Sequence, residues 1–190
     1  IIYRELTGYT DEVEIAYEIA EKFRSEIFEK LDRYSVWYAP ISQFPKPEHK
    51  VRLYEEHETL YEKFMESQGI DKTISDEEGL QMISRICDEN EGVQYNDALE
   101  LVLQLSAFYG WLIERAYQGY GPWKLIGEGD KITCYVGENT APINWIHQLW
   151  YKNVEIRSLQ YDLERAVNTG KIKHAQAENQ KKGENQENQP

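Results

Sequence analysis

Apolar residues return every three to four positions along most of this chain, the period of helices with one buried face. Val13, Ala16, Tyr17, Ala20, Phe23, Ile27 and Leu31 form one such face. It follows Asp11 and Glu14 at capping-box spacing and predicts a helix to about Arg33. The segment "YSVWYAPISQFPKP" then reads as an extended connector, with Trp37, Tyr38 and Phe44 lying across the core. Pro47 opens a second helix that carries Leu53, His57, Leu60, Tyr61 and Phe64 on one face and ends at Gly69. Ser75 and Glu78 make another capping box, before a third helix with Leu80, Ile83, Ile86 and Cys87.

The pattern changes at residue 97. From Ala98 to Ile113 the chain is apolar nearly all round, broken by Glu100 and Gln104, which predicts a buried central helix over 97–118 capped by Asn96 or Asp97. Ser106, Ala107 and Gly110 give that helix a side of small residues, open to close packing. The period then drops to two. "WKLIGE" and "KITCYVG" flank Gly127-Glu128-Gly129-Asp130 and read as an antiparallel hairpin with Ile132, Cys134 and Val136 on one face. Helical spacing resumes at Pro142, with Asn139 or Thr140 as cap, through Ile143, Ile146, Leu149 and Trp150. Asn153 interrupts it, and a last helix carries Ile156, Leu159, Leu163 and Val167 to Gly170. The expected fold is mainly α with a small antiparallel β-hairpin, an α+β chain whose helical core surrounds the central helix. Residues 1–170 read as a single globular domain, and the Glu-, Asn- and Gln-rich stretch 171–190 as a disordered polar tail.

Charge narrows the partners. The net charge is −13; four Lys against three Glu in residues 171–190 give +1, so the body carries −14. That field repels nucleic acid and anionic membranes and attracts basic proteins. No run near 20 apolar residues occurs, and the N-terminal stretch lacks the charged start and cleavage site of a secretion signal. With two well-separated cysteines as well, a cytoplasmic location is expected.

Catalytic signatures fare poorly. Gly119-x-Gly121 runs into Pro122 and Trp123, and Gly127-x-Gly129 leads into a strand, so neither is a phosphate cradle. His49 and His57 stand about 12 Å apart along one helix, too far to share an ion. The acidic clusters lack calcium-loop spacing. No cofactor and no metal are expected. Aromatic residues crowd the region from Tyr109 to Tyr151. Tyr and Trp anchor protein interfaces, whereas a stacking platform for nucleic acid needs a basic groove absent here.

The order of Gly110, Gly121, Trp123, Tyr135, Pro142, Ile146 and Leu159 resembles that of a group of uncharacterised bacterial proteins, some of them immunity-protein-like. The resemblance covers residues 98–165. Trp111 stands where the group has Glu, Ala141 precedes the proline, and "QLWYKN" replaces a basic run. It implies a non-enzymatic binding protein, an immunity-type inhibitor of a basic toxin. The expected partner-binding residues are Glu55, Glu56 and Glu58 on the acidic face of the second helix, with Trp145, His147 and Trp150 beyond the hairpin. Two alternatives stand beside this: a structural or accessory domain, and a hydrolase-like enzyme using His147, Cys134 or Glu114 between hairpin and central helix.

Overall fold

Eighteen residues from Leu99 to Ala116 form the helix around which the rest is arranged. In the computed structural model, which describes residues 44–187, five α-helices and one two-stranded antiparallel sheet follow in order. They are α1 (Pro47–Gln68), α2 (Asp76–Glu89), α3 (Leu99–Ala116), β1 (Trp123–Ile126), β2 (Thr133–Val136), α4 (Pro142–Trp150) and α5 (Ile156–Glu187). The mainly helical α+β expectation holds. The helix expected over 11–33, with Trp37 and Tyr38, lies outside the described residues.

Helix α3 packs on each of the other four helices, which explains its apolar circumference. Val102, Leu103, Leu105, Phe108, Leu112 and Ile113 are fully enclosed. Helix α1 lays Leu53, Leu60 and Phe64 against it, and Phe64 meets Phe108 at 4.8 Å between ring centroids. Burying such side chains contributes about 1.5–3 kcal/mol each. Gly69 ends α1 in the left-handed conformation, as its position after the last apolar residue predicts.

The capping box of α2 forms: the Glu78 amide donates to Ser75 Oγ at 3.2 Å and the Ser75 amide to Glu78 Oε2 at 3.1 Å. Two other caps differ from expectation. Helix α3 starts after Ala98, so its N-cap residue is neither Asn96 nor Asp97 and brings no side-chain cap. Its start is held instead by tertiary bonding, the Tyr95 amide donating to the Tyr151 hydroxyl at 2.9 Å. Helix α4 starts after Ala141 rather than at Asn139 or Thr140, because the Thr140 hydroxyl is spent on Asp162 of α5 at 2.7 Å.

The strands pair with Trp123 opposite Val136 and Ile126 opposite Thr133. Gly127 and Gly129, both at positive φ, shape the connection, which includes a 3-10 turn over Gly129–Lys131. Cys134 and Val136 face inward as the alternation predicts. Trp123 reaches back to α3, where a Cβ on Gly110 would lie 2.3 Å from its ring. The small side of α3 thus admits an indole. Close backbone approach occurs elsewhere: a Cβ on Gly170 would lie 2.4 Å from the Ala116 carbonyl oxygen. Gly170 is therefore a packing residue inside α5, which continues to Glu187 past the end predicted from the sequence. Beyond Gly170, in the segment read as a polar tail, none of the described side chains is buried.

Candidate functional site

Helices α2 and α5 lie side by side and leave a groove of about 750 Å³ between them. Each contributes an amphipathic edge. Leu80 from α2 and Leu163 from α5 are the buried floor; Ile156 and Val167 are half-buried walls. The rim carries Asp76, Glu77, Asp88, Glu89 and Glu164 against Arg85 and Arg157, five acids and two bases, or −3.

Not all of that charge is available. Arg115 pairs with Asp76 and also donates to the Ile74 carbonyl at 2.8 Å, tying the start of α2 to α3. Lys152 pairs with Asp88, and Arg85 stands 3.8 Å from Glu89. Glu77 and Glu164 make no ion pair among the described residues and accept only from Gln81 and Gln160 one turn away. The groove thus joins an apolar floor to two uncommitted carboxylates on opposite rims, within a chain of net charge −13.

The residues singled out from the sequence fall in three places. Glu55, Glu56 and Glu58 are exposed on α1. Glu56 is paired with Arg52 at 3.1 Å, and Arg52 also reaches Glu100 at 2.7 Å. None of the three lines either of the two described cavities. His147 and Trp150 turn inward, 2% and 4% exposed. The His147 ring packs among Phe44, Tyr95 and Tyr151 at 5.0–5.3 Å, and the Trp150 indole donates to the Val93 carbonyl at 2.8 Å. Trp145 is half-buried and lines a second cavity on another face of α5.

The groups weighed for catalysis are occupied by packing. Cys134 and Cys87 are enclosed, and burial pushes both thiols up to about 12, so almost no thiolate exists at neutral pH. Glu114 accepts from the Trp123 indole at 3.2 Å. His57 lies stacked on Trp123 at 4.4 Å, with its Nδ1 2.7 Å from the Tyr54 carbonyl oxygen. His49 Nδ1 accepts from the Lys46 amide at 3.3 Å and lies 2.9 Å from the Tyr95 hydroxyl. Burial lowers its affinity for a proton below that of a free imidazole. Among the described residues no group of three or more His, Cys, Asp or Glu is placed to hold a metal ion, and no helix is long and apolar enough to cross a membrane.

The floor of the groove was legible in the sequence as core, since Leu80, Ile156, Leu163 and Val167 all sit on predicted apolar faces. Their arrangement as a cleft was not, because neither helix alone specifies which helix lies beside it. Comparison with protein-family models, with curated proteins and with solved structures finds no match.

Proposed function

We propose that this chain is a non-enzymatic binding protein that captures a basic protein partner, docking an amphipathic helix of that partner in the groove between α2 and α5. The groove is the observation that carries the reading. Helix-in-groove recognition needs an apolar trough and a rim whose charge opposes that of the ligand. Leu80 and Leu163 supply the trough; Glu77 and Glu164 supply the rim. The apolar contacts provide affinity, while the −13 field speeds encounter and selects the sign of the partner. A basic toxin domain held by an immunity-type inhibitor is a partner of this kind. The commitment of Cys134, Cys87 and Glu114 to packing and hydrogen bonding supports binding over the hydrolase-like alternative.

The test is calorimetric titration with two designed helical peptides sharing one Leu stripe, one with Lys and one with Glu on the polar face. The Lys peptide is expected to bind at about micromolar Kd and to weaken as salt rises. Equal binding of both peptides, or of neither, contradicts the reading.

A further inference from the structure

The second cavity, of about 580 Å³, is lined by Asn139, by Trp145 of α4, and by Arg157, Ser158, Tyr161, Asp162 and Arg165 of α5. Its chemistry is the reverse of the groove's. The floor is a buried carboxylate: Asp162 is 4% exposed, and both its oxygens are taken. Oδ2 accepts from the Thr140 hydroxyl at 2.7 Å and from the buried Tyr109 hydroxyl at 3.3 Å; Oδ1 accepts from Arg165. A carboxylate so occupied is a fixed floor for the cavity, with most of its acceptor capacity already used. Above it stand two aromatic side chains, one of them Tyr161, 71% exposed and among the most exposed large apolar groups of the described chain. Arg157, also at the lining, makes no ion pair among the described residues.

Two guanidiniums and one carboxylate give the lining a charge of +1, on a chain whose total is −13. One uncommitted arginine beside exposed aromatic surface is the arrangement that recognises a flat, singly charged oxyanion. The guanidinium forks onto a carboxylate through two parallel hydrogen bonds, and the rings cover a planar ligand face. A net charge of +1 matches a monoanion better than a doubly charged phosphate, which would meet Asp162 with unbalanced negative charge. The volume lies within the range of small-molecule sites. We propose that this cavity binds a small aromatic carboxylate, with Arg157 holding the carboxylate and Trp145 and Tyr161 lining the ring.

This inference does not depend on the groove. Its test is titration of the full chain with indole-3-carboxylate, followed by calorimetry and by two-dimensional amide NMR. Indole-3-carboxamide, which lacks the charge, and cyclohexanecarboxylate, which lacks the flat ring, are the controls. The expected result is one-to-one binding at about millimolar Kd for the aromatic acid, at least tenfold weaker for either control. Arg157→Gln and Tyr161→Ala, both at exposed positions, should each weaken binding about tenfold while leaving the amide spectrum otherwise folded. Because Arg157 also lines the groove, the separating variant is Tyr161→Ala, which lines this cavity and not the groove and should leave binding of the Lys peptide unchanged. Loss of acid binding with retained peptide binding therefore reports on this cavity alone. The inference is overturned if the carboxamide binds as tightly as the acid, if both variants bind like the parent, or if the aromatic acid fails to saturate at tens of millimolar.

Discussion

Helix α5 presents two faces, and their contrast shows how one amphipathic element can make two kinds of surface. Toward α2 it offers Ile156, Leu163 and Val167, an apolar stripe with Glu164 on its edge. Toward the loop before α4 it offers Asp162, fully hydrogen-bonded, with Arg157, Tyr161 and Arg165 around it. Leu163 and Asp162 are neighbours in sequence and both are buried, yet one closes a hydrophobic trough and the other a polar network. The first can admit any apolar side chain of suitable shape. The second is specific, because both oxygens of Asp162 already have named partners.

The largest effects should come from these two neighbours. Asp162→Leu strands the Thr140 hydroxyl, leaves Tyr109 only the Leu159 carbonyl at 3.2 Å and takes the carboxylate from Arg165, which should cost about 2–4 kcal/mol in urea unfolding. Leu163→Ala removes groove floor and leaves a cavity, at about 2–4 kcal/mol. The contrast sharpens with conservative changes. Leu163→Met should cost under about 1.5 kcal/mol, since volume is kept. Asp162→Asn should cost about 1–3 kcal/mol despite equal volume, because one of the two side-chain positions becomes a donor and meets a donor. If Asp162→Asn is as mild as Leu163→Met, the polar network does not hold this face.

Gly170→Ala comes next. The added Cβ meets the backbone carbonyl of Ala116, which cannot rotate away, so a loss of about 1–3 kcal/mol is expected in place of the gain that Ala normally gives inside a helix. A stabilised variant would mean that α5 does not approach α3 so closely.

Rim charges should matter least to stability and most to encounter. Glu77→Lys with Glu164→Lys should shift unfolding by under about 0.5 kcal/mol for each, while slowing association of the Lys peptide about tenfold at low salt in stopped-flow measurements. His49, away from both faces of α5, calibrates these numbers. Its folded affinity for protons is depressed below the ordinary 6.5 by burial. The unfolded chain therefore binds the proton more readily. The stability His49 contributes is complete above 6.5 and is lost as pH falls through that value toward the folded one. His49→Gln should flatten this fall between neutral and mildly acid pH; an unchanged profile would assign the fall to other groups.

Much of the fold was legible because it rests on local signals. Pro47 and Gly69 bound α1, the Ser75–Glu78 box starts α2, and the apolar circumference of Leu99–Ala116 marks a helix covered on all sides. What escaped was set by tertiary contacts. Thr140 has the side chain of a helix cap, but Asp162 of α5 binds it more usefully. Gly170 has the look of a helix stop, but the close pass of α3 requires a glycine there whatever the helix does. The binding surface shows the same limit. Clustered acids in "EEHE" stand out in a sequence, yet on α1 they lie on an exposed helix face that lines neither of the two described cavities. The acids beside a cleft, Glu77 in the run Asp76–Glu78 and Glu164, come from two separate helices, and no spacing in the sequence brings them together.

That difference gives the most direct measurement: amide chemical-shift mapping of the full chain during titration with the Lys peptide. The largest shifts are expected at Gln81, Ser84, Gln160 and Glu164 along the groove, with Glu55 and Glu58 unmoved. Shifts centred on Glu55 and Glu58, with the groove silent, would place recognition on α1 and contradict the account.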